Sequence, residues 1–265
     1  RSGAIAPGYK ANLIGFERDK PFSVSLVIKH GTVIAKSGKR TDGWAECSTS
    51  SGSLPRVRDS VNVKWLDASD FAIPARGKTI RVIEARSGSI VTGKSFAAPL
   101  VKDGLCVSDT SRDLIKIFVI ERHGGTGSIG KGFIRGLGLK RGAIGSTVSH
   151  DSHNIIVAGV DDLSIFKAVK RLNAIKGGYV VTEGETVIAE LALPIAGLMS
   201  DKPVGDVLEA LDRFTSFFEN EGMTATSPLM LLSFMALPVI PSLKITDQGL
   251  IDVDDFRLVD LFAED

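Results

Sequence analysis

The sequence predicts an α+β fold, with mixed, mostly antiparallel sheets and helices packed on them. Three observations predict it. Short apolar runs of period two recur along the chain. Helical spacing is confined to Leu163–Ala174 and Pro203–Asn220. Turn clusters of Gly, Asp and Asn join most runs directly, as hairpins require. A TIM barrel, also near this length, needs eight strand–helix units and is excluded by the shortage of helices.

The elements follow in order. Pro7-Gly8 marks a turn before Ala11–Phe16. Phe22, Val24, Leu26 and Ile28 alternate along a strand to Lys29, and His30-Gly31 turns it into Thr32–Ala35. Residues 39–69 include Ser48, Ser50, Ser51, Ser53 and Pro55 and have little periodicity, so a linker or surface excursion is expected there. Strands are expected at Thr79–Glu84, Ser89–Thr92 and Leu114–Glu121. The glycine-rich run between residues 124 and 145 reads as a mobile or tightly wound loop. Ala143–Val148 and Asn154–Gly159 are strands joined through Ser149–His153. Asp161-Asp162 caps the first helix, and Gly177-Gly178 ends it. Tyr179–Thr182 pairs with Thr186–Leu193. The second helix sets Val207, Leu208, Leu211, Phe214 and Phe218 at helical spacing, with Ser200-Asp201 read as its cap. Leu243–Thr246 and Leu250–Val253 close the chain as a hairpin.

Composition narrows the function. The 265 residues are 43% hydrophobic and 24% charged, ordinary for a globular protein able to bury its own core. A net charge of +1 argues against a nucleic-acid partner, which needs a basic surface. Cys47 and Cys106 make neither a disulfide framework nor a zinc site. No basic and apolar leader follows Arg1, and the apolar stretch Leu229–Pro241 is too short to span a bilayer. A cytoplasmic protein with no membrane partner is expected.

Gly125-Thr126-Gly127-Ser128-Ile129-Gly130 fits G-x-G-x-x-G after a strand. The helix that should follow would carry Gly132, Gly136, Gly138, Gly142 and Gly145, each costing about 1 kcal/mol. A dinucleotide turn is therefore rejected. A P-loop is rejected too, because Gly132 stands where a magnesium-binding hydroxyl belongs. Lys140-Arg141 reads as a solvated basic turn.

Histidines are more informative. His123, His150 and His153 fall close together in sequence, and His150-Asp151-x-His153 puts two imidazoles and a carboxylate into one turn. Such a group can bind a divalent metal, move protons near neutral pH or contact substrate, or simply hydrogen-bond the turn. Glu121-Arg122 stands beside His123 at a strand end.

Longer strings carry a resemblance. Glu121-Arg122-His123, Thr126-Gly127, Gly132-Phe133, Gly136-x-Gly138-Leu139 and Gly142-Ala143-Ile144 run into Ser149-His150-Asp151-Ser152-His153-Asn154-Ile155. Leu193–Ser200, Leu237–Pro241 and Lys244–Leu250 follow in order. This series resembles the C-terminal region of adenine deaminase, of the amidohydrolase superfamily, over residues 70–265. Residues 1–38, with Ile5–Leu13 and Gly31-x-Val33-Ile34-Ala35, are similar to the strands that complete the small amidohydrolase β-sandwich; the family usually has Asp at the place of Asn12.

The resemblance implies hydrolysis of adenine to hypoxanthine and ammonia, in purine metabolism, by a cytoplasmic homo-oligomer. It implies a divalent metal (manganese, iron or zinc) held by an N-terminal barrel, with its main ligands upstream of Arg1 and none of them in this sequence. This chain by itself is then expected neither to hold that metal tightly nor to turn over adenine. An exposed sheet edge or apolar patch is expected on residues 1–38, where partner strands would pack. His123, His150, Asp151 and His153 are the candidate catalytic residues, near the substrate or moving protons. The alternative is a non-catalytic binding or assembly module that supports a separate barrel or subunit.

Overall fold

The structure, a computed structural model, describes residues 1–43, 57–223, 225 and 227–263. Cys47 and the serine cluster expected to form an excursion lie outside the described residues. The chain divides into two compact units, Arg1–Ser53 and Leu54–Asp265.

The first unit is an antiparallel sheet in the order β1 (Leu13–Glu17), β2 (Lys20–Lys29), β3 (Thr32–Lys36), β4 (Lys39–Arg40). His30 and Gly31 both have positive φ, +50° and +81°, which is the turn that matches the twist of a two-residue hairpin. Asn12 Oδ1 accepts the His30 main-chain N–H at 2.8 Å. Ile14, Phe16, Phe22 and Val24 are exposed, as expected of this segment.

The second unit is built on an eight-stranded sheet. Its strands in chain order are β5 (Ile80–Glu84), β6 (Gly93–Ala97), β9 (Ile115–Ile120), β10 (Ile129–Arg135), β11 (Ala143–Ser146), β12 (Ile155–Gly159), β13 (Gly178–Glu183) and β14 (Thr186–Ala192). The small hairpin β7 (Leu100–Lys102) and β8 (Leu105–Val107) lies between β6 and β9 in sequence. In space the order is β14-β13-β11-β12-β9-β10-β5-β6, antiparallel throughout except for the parallel pair β10 and β5.

Both faces of this sheet are covered, so its central strands read as continuous apolar runs. On β9, Ile115, Ile117 and Val119 enter one core, while Phe118 and Ile120 enter the other. Helix α1 (Asp162–Ala174) covers the second face with Ile165, Ala168, Val169 and Leu172. Helices α2 (Val204–Glu221) and α3 (Pro228–Phe234) and the small sheet β15 (Leu243–Thr246), β16 (Gly249–Asp252), β17 (Arg257–Val259) cover the first. Each fully buried Ile, Leu or Phe contributes roughly 1.5–3 kcal/mol. Lys116 is the exception in β9; its ammonium donates to Phe71 O at 2.6 Å and pairs with Asp162 in the first turn of α1.

Several expectations change. The glycine-rich run is not a loop throughout, because Ile129–Arg135 is β10. Its glycines allow close packing: a Cβ on Gly130 would overlap the carbonyl of Thr246, and one on Gly132 would crowd Leu250 and Ile245 at 3.1 and 3.2 Å. Residues 89–92 are irregular rather than a strand, with the Val91 N–H on Ser89 Oγ at 3.0 Å, and the strand begins at Gly93. The apolar stretch from Leu229 holds α3, too short for periodicity to reveal.

Three smaller readings change as well. Ser200-Asp201 does not cap α2; Pro203 occupies that position and Asp201 pairs with Arg58 at 3.0 Å. Lys176, with φ +63°, takes the left-handed position after α1, one residue before Gly177. Arg141 is no merely solvated residue, since it bridges Glu221 at 2.6 Å and Glu183 at 3.1 Å. Among the described residues, no helix is long and apolar enough to cross a membrane.

Candidate functional site

Strand register gathers the candidate residues. Ile120, the last residue of β9, pairs with Ile129 at the start of β10 and with Ile155 at the start of β12. The 121–128 loop and the 147–154 turn therefore emerge at the same end of the sheet. The β15–β16 turn joins them: Asp247 Oδ1 accepts from Asn154 Nδ2 at 3.2 Å, and its carbonyl accepts from Ser128 Oγ at 2.8 Å.

Glu121 organises the loop. Its carboxylate accepts the main-chain N–H groups of His123, Gly124 and Thr126 and the Thr126 hydroxyl. Burial pushes this carboxyl up, but the amides outweigh it and hold the pKa at about 2. The loop thus wraps an anion of its own chain, not a phosphate. His123 is exposed, and its Nε2–H donates to Ser152 O at 2.7 Å.

Arg122 points inward and is 1% exposed. Its guanidinium donates to the carbonyls of His153, Ala196 and Ser60, the last two at 3.0 and 3.3 Å. Its own N–H donates to Asn154 Oδ1 at 3.3 Å.

In the 147–154 turn, Thr147 Oγ1 donates to Gly197 O at 2.6 Å and accepts the Gly178 N–H at 2.7 Å. His153 has φ +52°, and its N–H donates to Ser149 O at 2.6 Å. The His153 Nδ1 accepts the Ser149 N–H at 3.3 Å, which leaves the proton on Nε2. Burial and the neighbouring His150, Arg122 and His123 push the His153 pKa down, with Asp151 pulling the other way. The ring is thus biased to its neutral form.

The His150 ring stacks on Phe234 with centroids 4.8 Å apart, and lies 5.5 Å from the His153 ring. The main-chain N–H of His150 donates to Ser233 O at 3.1 Å. The buried hydroxyls of Ser149 and Ser233 have no hydrogen-bond partner in the structure. Asp151 is exposed and, with Ser152, Asp247, Gln248 and Ile251, lines a cleft of about 450 Å³.

The structure therefore brings His123, His150, Asp151 and His153 to one surface. It does not arrange them around a metal: among the described residues, no three His, Cys, Asp or Glu side chains could hold an ion. What the arrangement offers is a neutral imidazole next to a second, ring-backed imidazole. Sequence reasoning missed Phe234, because α3 was not legible, and the reach of Asp247. Its one available signal for Arg122 was an arginine two residues past the end of a fully buried strand in which Lys116 is the one charged residue.

Comparison with known proteins gives a consistent result. The family described as adenine deaminase C-terminal domain matches residues 89–257. An adenine deaminase of Methanothrix thermoacetophila is 46% identical over 265 residues, all of this chain and 45% of that protein. Adenine deaminase 2 of Carboxydothermus hydrogenoformans is 42% identical over 259 residues, 97% of this chain and 44% of that protein. An adenine deaminase of Thermosipho africanus is 40% identical over 263 residues, 99% and 44% respectively. The chain thus spans a little under half the length of these relatives.

Proposed function

Because this chain belongs to the adenine deaminase C-terminal domain family, we propose that it is the C-terminal part of a metal-dependent adenine deaminase. The complete enzyme hydrolyses adenine to hypoxanthine and ammonia. In this reading the divalent ion (manganese, iron or zinc) is held by the part of the enzyme outside this chain; among the described residues no three His, Cys, Asp or Glu side chains could hold it. Residues 70–265 are the family domain, and residues 1–38 are strands of an amidohydrolase sandwich. The complete enzyme is a cytoplasmic homo-oligomer.

The convergence of the three histidines at one sheet end supports a role at the substrate site. In this reading the 147–154 turn faces the bound purine. Hydrolysis moves a proton from water toward the departing amino group, and an imidazole biased toward its neutral form suits that transfer. His153 takes the proton on Nδ1, in place of the Ser149 N–H that this nitrogen accepts at rest, and returns it to the departing amino group, while His150, backed by Phe234, shields the site from water. His123 and Asp151 frame the turn.

The test is the His150→Ala/His153→Ala double variant of the full-length enzyme. The expected result is a fall in kcat/KM for adenine of about 100-fold or more, with unfolding unchanged. A wild-type kcat/KM would sink the reading. A second reading, a non-catalytic module that assembles a barrel or subunit, is favoured by the exposed Phe16, Phe22 and Trp65. It predicts that the double variant is silent while Phe22→Ser and Trp65→Ser disrupt assembly.

A further inference from the structure

We propose that Arg122 is a positioning residue that fixes the His150–His153 turn in its working geometry; this rests on the adenine deaminase reading above. Removing a guanidinium from water costs several kcal/mol unless charge or geometry repays it. Among the described residues no carboxylate forms an ion pair with Arg122, although Glu121 is its sequence neighbour. What repays burial is three carbonyls from three separate segments, at residues 60, 153 and 196.

A planar fork with five donors suits carbonyls approaching from different directions, whereas an ammonium concentrates its donors on one atom. The surroundings are shaped for that fork. A Cβ on Gly197 would come within 2.9 Å of both terminal guanidinium nitrogens. Main-chain bonds complete the clamp: Arg122 N–H holds Asn154, and Asn62 N–H donates to Arg122 O at 2.7 Å. Two consecutive turn residues, His153 and Asn154, are thus tied to one arginine. The arginine also acts through its charge. The titratable or charged groups facing His153 are His150 and Asp151 from its own turn, and Arg122 and His123 from the 121–128 loop. Of these, Arg122 supplies a positive charge at every working pH.

Arg122→Gln and Arg122→Lys in the full-length enzyme separate geometry from charge. Both are expected to lower kcat for adenine at least about 10-fold, with a smaller change in KM. The acid limb of kcat/KM moves to higher pH in Arg122→Gln, because His153 protonates more readily, and stays in place in Arg122→Lys. A pair of variants that lose thermal stability but keep kcat and the acid limb overturns the proposal. If Arg122→Gln does not fold, Gly197→Ala takes its place: it crowds the guanidinium without removing charge, so kcat should fall and the limb should stay. A folded Gly197→Ala with wild-type kcat also overturns it. Silence of the Arg122 variants beside an impaired His150→Ala/His153→Ala variant rejects the positioning role alone; silence of all of them rejects the deaminase reading of this turn as well.

Discussion

The carboxylate of Glu121 accepts the main-chain N–H of Gly124 at 2.7 Å, and does so from inside the glycine loop that resembles a phosphate cradle. Three of the loop's main-chain donors, at His123, Gly124 and Thr126, are already taken by this neighbour in sequence. Nucleotide binding by this loop is therefore not expected, and calorimetry with ATP and NAD should show none.

The same bond makes an acid-stability prediction. The Glu121 carboxyl has a folded pKa of about 2, below its ordinary value of 4.5. Its stabilisation is therefore present above about pH 4.5 and lost as pH falls toward 2. Glu121→Gln should cost about 2 kcal/mol at pH 7 and flatten this part of the acid limb. Urea unfolding at pH 7, 4 and 3 measures both. An unchanged pH dependence contradicts the assignment.

Two glycines of the same run should respond oppositely to a methyl group. Gly130→Ala drives Cβ into the Thr246 carbonyl and should cost more than about 3 kcal/mol. At Gly124 the nearest heavy atom lies 3.6 Å from the added Cβ, so Gly124→Ala should stay within about 0.5 kcal/mol. Paired denaturation curves decide. Equal effects would mean that close approach of β10 to β15 and β16 is not why Gly130 is there.

Lys244 is fully buried and donates to Ile90 O at 2.8 Å and to Phe234 O, at the C-terminus of α3, at 3.0 Å. Burial lowers its pKa from 10.5 to about 8. Between those values the unfolded chain binds the proton and the folded one does not, so stability should rise with pH across this window. Lys244→Met should abolish the rise. It also leaves two carbonyls unpaired, which offsets part of the gain from removing a buried charge. Unfolding free energies from pH 7 to pH 10 show whether the slope disappears.

Asn12 Oδ1 accepts the His30 main-chain N–H at 2.8 Å. Asn12→Asp keeps the acceptor and should change stability by less than about 0.5 kcal/mol. Asn12→Ala should cost about 1 kcal/mol and speed exchange of the His30 amide. Hydrogen exchange at His30 distinguishes them.

Much of the fold was legible where local pattern and tertiary burial agree. The alternation of Ile115, Ile117 and Val119 announces β9, and Asp161 before an apolar-periodic run announces α1. Strand β10 was hidden because Gly130 and Gly132 lower strand propensity, and the reason for them lies on β15 and β16, over a hundred residues away. Helix α3 was hidden by its length of 7 residues.

The sequence by itself determined the α+β class, most strand pairs and the local grouping of His150, Asp151 and His153, because these depend on neighbours in the chain. Tertiary structure decided the rest. Pairing of Ile120 with both Ile129 and Ile155 brings His123 to that turn, Phe234 supplies the ring behind His150, and Arg122 is turned inward onto three distant carbonyls. The physical reason is range. Propensity and periodicity act over a few residues, whereas a buried guanidinium needs hydrogen-bond acceptors that only long-range packing can deliver.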